Sequence, residues 1–282
     1  MVYNAKNDTV RIGNTDMDYI SFGTGEKNVI LLPGLGDGLK TVKGMAVTFA
    51  MMYKIFAKDF KVYVFSRKNE LPEGYSTKDM AEDMAEAMKK LGIVKASVVG
   101  VSQGGMIAQY MAINHAEMID KLILAVTTAG KSDTADDTTN DTVKSVVSKW
   151  IELAKVDDYS TLFIDIAEKS YSENYLKKYR PLYPILTRIG KPEAYKRFLI
   201  QANACINHYT YDELSQINVP TLIIGGDSDK VVGSHSSEEL AERISGSKLK
   251  LYKGLGHATY EEAKDFNNII LEFLNTGNTG EK

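Results

Sequence analysis

The sequence predicts an α/β fold, a mostly parallel, doubly wound sheet with a helical insertion. Three observations predict it. Short β-branched apolar runs recur in the first half, each followed by a turn and then by helix-periodic residues. Between Gly130 and about Tyr211 these runs vanish and helical patterns follow one another, punctuated by Pro181, Pro184 and Pro192. The strand-then-helix alternation resumes from Val219 to the end. This divides the chain into a core of residues 1–130 and 212–282 and a helical insertion of residues 131–211.

Composition narrows the classes of function. The 282 residues carry a formal net charge of −3 with charges spread along the chain, unlike a nucleic-acid binder or a polybasic membrane patch. The first eighteen residues are polar, and no run reaches transmembrane length, so a cytoplasmic location is expected. The single cysteine, Cys205, excludes an internal disulfide and a metal site built on several thiolates of one chain. The partner expected is a small-molecule substrate, for a monomer or homodimer with no metal.

In chain order, Val10–Phe22 reads as a hairpin around Gly13-Asn14, and Asn28–Leu32 as a buried strand. That strand runs into Pro33-Gly34-Leu35-Gly36-Asp37-Gly38, whose three glycines let the backbone approach a ligand and aim N–H groups at it. Neither a dinucleotide fingerprint nor a Walker lysine is present. Thr41–Lys58 has helical spacing, Phe60–Phe65 reads as a strand, and Ser66–Tyr75 as a loop. A helix opens at Ser76, with Asp79 closing a capping box, and Met80, Met84, Met88 and Leu91 form its core stripe before Gly92 ends it. A buried strand follows at Lys121–Val126, then the polar stretch Asp133–Asp141, which reads as a linker.

Helical patterns occupy Val143–Leu153, Tyr159–Lys169, Asn174–Tyr179 and Glu193–Cys205. Eight of the sixteen tyrosines fall between Tyr159 and Tyr211, beside the only tryptophan, Trp150, which implies an apolar pocket with a few hydroxyl donors. After the strand of Val219–Gly226, a helix opens near Ser236 with Glu239 completing a second capping box. Lys248–Tyr252 is the last strand, and a closing helix carries Phe266, Ile269, Ile270, Phe273 and Leu274 on one face before a polar tail.

The stretch Ala96–Asn114 organises the rest. Val98, Val99 and Val101 make a strand, Met106, Tyr110 and Met111 begin a helix, and Gly100-Val101-Ser102-Gln103-Gly104 joins them. A Gly-x-Ser-x-Gly in that setting suits a sharp turn that pushes one hydroxyl out of the fold, so Ser102 is the candidate nucleophile. Ligand sites of open parallel sheets lie outside the carboxyl ends of the strands. The Gly34–Gly38 loop, Ser102, the Asp227/Asp229 pair and His257 all follow buried strands, which places them on one rim. Of the four histidines, only His257 follows a late strand through a Gly-x-Gly turn. His115 sits at a helix end, His208 in the insertion and His235 at a helix entrance.

Together, Gly34-Leu35-Gly36, Gly100–Gly105, Gly226-Asp227-Ser228-Asp229 and Gly254-Leu255-Gly256-His257 resemble, in order, the motifs of the α/β-hydrolase superfamily, over essentially the whole chain. The resemblance implies an α/β-hydrolase fold and a cofactor-free serine hydrolase with Ser102, His257 and Asp229 as its triad. The family's Gly-x-x-Asp pattern selects Asp229, while Asp227 reads as a turn former. It also implies backbone donors to an oxyanion at Gln103 and Leu35 and a helical cap in the insertion of residues 131–211; Gly34 and Trp150 are the candidate substrate contacts.

Two departures stand out: Pro33-Gly34 replaces the His-Gly of many members, and Ser66-Arg67-Lys68-Asn69-Glu70 replaces an Asp-x-Arg-Gly-x-Gly. A serine nucleophile argues against haloalkane dehalogenase and epoxide hydrolase chemistry. The leading expectation is cleavage of a small, mostly apolar ester through an acyl-enzyme. Thioesters, lactones, activated C–C bonds, perhydrolase or haloperoxidase chemistry on the same triad, and a non-catalytic ligand receptor stand as alternatives.

Overall fold

Among the described residues, eight strands form one sheet in the order β1-β2-β4-β3-β5-β6-β7-β8. They are β1 (Lys6–Ile12), β2 (Thr15–Phe22), β3 (Lys27–Leu32), β4 (Phe60–Lys68), β5 (Ala96–Val101), β6 (Ile119–Ala125), β7 (Thr221–Gly226) and β8 (Lys248–Tyr252). The β1–β2 and β2–β4 pairs are antiparallel and every pair from β4 to β8 is parallel, as the sequence predicts. The computed structural model describes residues 2–130 and 139–277. The expected linker at Asp133–Asp141 therefore lies outside the described residues through residue 138, as does the tail from residue 278.

Helices cover both faces, because the parallel strands are apolar on both sides. Val98 of β5 packs into a core with α2 (Thr77–Lys90) and α3 (Gln103–Asn114), while its neighbour Val99 packs into a second core with α1 (Ala46–Met52) and the last helix. Three more helices, α4 (Thr139–Lys155), α5 (Tyr159–Ser170) and α6 (Glu173–Tyr179), follow β6 in the chain. The insertion continues with α7 (Tyr183–Ile189) and α8 (Lys196–Ile206), and the core resumes with α9 (Ser236–Arg243), α10 (Thr259–Glu262) and α11 (Phe266–Asn275). Gly130 and Tyr209 form an isolated antiparallel bridge where the insertion leaves and rejoins the core. A third apolar cluster, including Leu35, Met106, Trp150 and Phe198, joins the insertion to the rim.

The capping box of α2 is present in full: Ser76 Oγ accepts from the Asp79 N–H, and Asp79 Oδ2 accepts from the Ser76 N–H at 2.9 Å. Four expectations need correction. The helix read over Thr41–Lys58 shortens to α1, because long-range partners hold the segment before it. Ser66 Oγ accepts from the Val42 N–H, Asn7 Oδ1 accepts from the Gly44 N–H, and Gly44 turns at a φ of 82°. The loop read from Ser66 begins only after Lys68, since β4 runs three residues past Phe65. The helical patterns read in the insertion omit α7, which Pro184 opens where its missing N–H costs nothing. The second capping box is absent: the N-cap of α9 is His235, and Ser236 Oγ donates back to the Val232 carbonyl.

His208 stitches the end of the insertion to α2. Its Nδ1 lies 2.9 Å from Thr77 Oγ1, and the Tyr110 ring meets it edge-on. Burial pulls its pKa from the ordinary 6.5 down to about 3. The unfolded chain thus binds the proton first, and stability falls as pH drops below about 6.5, by up to ~1.4 kcal/mol per pH unit until the folded-state value is passed. Urea denaturation of wild type and His208→Gln from pH 7 to about pH 4 should show a shallower slope in the variant. Identical slopes would acquit His208.

Candidate active site

Ser102 sits between β5 and α3 at φ 55° and ψ −120°, a conformation that costs a non-glycine residue about 1–3 kcal/mol. The surroundings enforce it. The Ser102 N–H donates to the Ala125 carbonyl at 2.9 Å, and Thr127 Oγ1 donates to the Ser102 carbonyl at 2.8 Å. The flanking glycines are required by space. A Cβ on Gly100 would lie 2.4 Å from the Gly104 carbonyl oxygen, and one on Gly104 would lie 2.0 Å from that of Leu32. The turn thus aims the serine hydroxyl outward from a tightly packed crossing of strand, helix and loop.

The hydroxyl meets the predicted base. Ser102 Oγ lies 2.9 Å from His257 Nε2, and His257 Nδ1 lies 2.8 Å from Asp229 Oδ2. The other oxygen of Asp229 accepts the N–H groups of Val231 and Val232 at 2.8 and 3.0 Å, which locks the carboxylate. A carboxylate only accepts, so the hydrogen of the neutral imidazole belongs on Nδ1 and leaves the Nε2 lone pair facing the serine. Asp229 and His257 are both buried, which shields this relay from bulk water. Asp227 is exposed and accepts from the Gly254 N–H and Ser228 Oγ, a turn-stabilising role. The other histidines are engaged elsewhere: His115 with Glu82, His235 with Glu238, and His208 as described above.

Leu35 opens the turn after β3, and Gln103 opens α3 directly after the serine. Gly34 lies so close that a Cβ there would be 3.2 Å from Ser102 Cβ. A cavity of about 520 Å³ has Gly34, Leu35, Ser102, Trp150 and His257 on its wall. Phe49 of α1, Tyr159 and Phe163 of α5 and Phe198 of α8 make the rest of it mostly apolar. Trp150 presents its ring there while its Nε1–H donates to Asp165 at 2.8 Å. A larger groove of about 760 Å³ opens between Asn69–Pro72 and Lys191–Arg197, and neither Ser102 nor His257 lines it.

The tyrosine expectation is corrected in part. Among the eight tyrosines from 159 to 211, Tyr159 lines the cavity, whereas Tyr171, Tyr175 and Tyr179 stack on one another with ring centroids 4.3 Å apart. Tyr171 closes α5 while Tyr175 and Tyr179 lie on α6, so the stack runs from the end of one helix along the next.

Sequence reading missed a buried polar cluster behind the site. Arg67 of β4 donates through Nη2 to the Pro33 carbonyl and to Gln103 Oε1. Asp37 accepts the Arg67 N–H at 3.0 Å and pairs with Arg197 of α8 at 2.9 Å. Gln103 Nε2 donates to the Gln201 carbonyl and to Cys205 Sγ. Burial pulls the Arg67 guanidinium below its ordinary pKa, against the pull of Asp37 in the other direction. Burial likewise pushes the Cys205 thiol up to about 12, leaving it protonated and inert as a nucleophile. The available signal was a charged residue at the carboxyl end of the strand next to β3.

Comparisons with known proteins identify the family. A family model described as the alpha/beta hydrolase fold matches residues 27–264. The AB hydrolase superfamily protein YisY of Bacillus subtilis is 30% identical over 206 residues, covering 72% of this chain and 75% of that protein. A putative carbamate hydrolase, RutD, of Rhizobium rhizogenes is 26% identical, with 88% of this chain and 92% of its own covered. Among solved structures, MGS-M2, an alpha/beta hydrolase enzyme from a Medee basin deep-sea metagenome library, superposes with a TM-score of 0.84. Its identity is 20%, and the match covers 98% of this chain and all of that one.

Proposed function

The chain belongs to the alpha/beta hydrolase family, and on that premise we propose that it is a serine hydrolase cleaving a small, mostly apolar ester through an acyl-enzyme. The observation that carries the reading is the continuous relay from Ser102 Oγ to His257 Nε2 and from His257 Nδ1 to Asp229 Oδ2. A serine hydroxyl is a poor nucleophile until a base takes its proton, and His257 is within reach to take it.

As Ser102 Oγ bonds to the carbonyl carbon, its proton passes to Nε2 and the carbonyl π pair moves onto oxygen. Asp229 stabilises the imidazolium and holds the ring in place. The N–H groups of Gln103 and Leu35 receive the oxyanion, each donor worth about 10²–10³ in rate. The pair then returns to carbon, the bond to the leaving oxygen breaks, and the Nε2 proton goes to the departing alcohol. Water repeats the sequence against the acyl-enzyme, with His257 again as base, and releases the acid and free Ser102. No step uses a cofactor or metal. The helices of the insertion, through Trp150, Tyr159, Phe163 and Phe198, act as the cap that gives the substrate an apolar chamber.

The relative named as a putative carbamate hydrolase supports a carbonyl substrate, since carbamates and esters share the attack that this relay serves. A fluorophosphonate probe tests the reading. Wild type should gain one adduct mass, and peptide mapping should place it on Ser102. A chain that stays unlabelled under conditions that label a known serine esterase would defeat the proposal and favour a ligand receptor.

A further inference from the structure

We propose that Arg67 is the positioning residue of the oxyanion hole, fixing the two backbone donors in register. The inference rests on the hydrolase reading above and adds to it a residue outside the triad. The two donors belong to separate elements: Leu35 to the turn after β3, and Gln103 to the first residue of α3. One nitrogen of Arg67 bridges them. Its Nη2 lies 2.5 Å from the carbonyl of Pro33, two residues before Leu35, and 3.0 Å from the side-chain oxygen of Gln103. An Nη2 group carries two hydrogens fixed in the guanidinium plane, one for each partner.

The clamp is itself held. Arg67 lies on β4, which pairs with β3 in parallel register, and its own N–H donates to Asp37 Oδ2 at 3.0 Å. Arg197 of α8 donates to the Arg67 carbonyl and to Asp37, so the insertion closes over the back of the same cluster. Arg67 is 2% exposed and stands behind the cavity wall, not on it. It therefore acts on the reaction only through the loops that it ties together.

Such a role has a specific kinetic signature. Oxyanion donors act only when they lie about 2.7–3.1 Å from the developing charge, so a small separation of the two loops weakens the transition state. Ground-state binding depends instead on the apolar chamber, which Arg67 does not touch. Arg67→Met keeps the length and removes the donors, and Asp37 retains Arg197 as its counter-ion.

The test measures turnover of a nitrophenyl ester per fluorophosphonate-titrated site, together with affinity for an alkylboronic acid, whose serine adduct mimics the tetrahedral oxyanion. We expect kcat and boronate affinity to fall in parallel by about 10²-fold in Arg67→Met, with KM within about threefold, and part of the loss restored in Arg67→Lys. Should the methionine variant fail to fold, Gln103→Met breaks one of the two links, keeps its backbone N–H, and should show the same split at smaller amplitude. Unchanged kcat and boronate affinity per titrated site, or a rise in KM alone, would overturn the role of Arg67. That failure is distinct from a failure of the hydrolase reading, in which wild type itself would not label at Ser102.

Discussion

Ser102→Ala should lower kcat on a short-chain nitrophenyl ester by about 10⁴-fold or more, equivalent to about 5.5 kcal/mol of barrier, while the protein stays folded. Activity is lost because the variant has no oxygen for His257 to deprotonate, leaving only water in a cavity built around a different nucleophile. Folding survives because the turn is held by other groups. The Ser102 N–H and carbonyl keep their bonds to Ala125 and Thr127, and alanine occupies the same strained backbone position. KM should change little, since the apolar walls are untouched. Wild type should also release a burst of nitrophenol equal to the titrated sites when deacylation is slow, and the variant none. Equal steady-state rates in the two proteins would remove Ser102 from the chemistry.

Most of the sheet was legible because buried parallel strands carry their signal locally. The runs Val98-Val99 and Leu222-Ile223-Ile224 are apolar on both faces, and each ends where a glycine turn begins. The meeting of the candidate pair Ser102 and His257 was legible for the same reason, since each follows directly on its strand and turn. What was not legible depends on partners distant in sequence. The start of α1 is set by Asn7 and Ser66, 39 and 24 residues from the groups they bind, and local spacing cannot report that. Arg67 gains its meaning from Pro33, Gln103 and Arg197, which no pattern around residue 67 contains. The second capping box failed although Ser236 and Glu239 have the right spacing. The helix starts at Ser236 with His235 as its N-cap, so the Glu239 N–H donates to the His235 carbonyl and the Ser236 hydroxyl donates to the Val232 carbonyl.

The acid of the relay gives the second large effect, and it separates two carboxylates only two residues apart. Asp229→Asn should cost about 10⁴-fold in kcat, and Asp227→Asn no more than about threefold. The Asp229 side chain is pinned from behind: one oxygen holds the Val231 and Val232 N–H groups, which leaves the other to receive His257 Nδ1–H. An asparagine in that place must keep its carbonyl oxygen toward the two backbone donors, so its amide faces the imidazole. Two donors then confront each other unless the ring moves its hydrogen to Nε2. In that tautomer the nitrogen facing Ser102 has no lone pair to accept a proton, so the base is lost with the geometry intact. At Asp227 the same change leaves an oxygen able to accept from Gly254 and Ser228, so the turn survives. Steady-state kinetics on both variants, normalised to folded protein by circular dichroism, decides between them, and the opposite ranking would move the acid to Asp227.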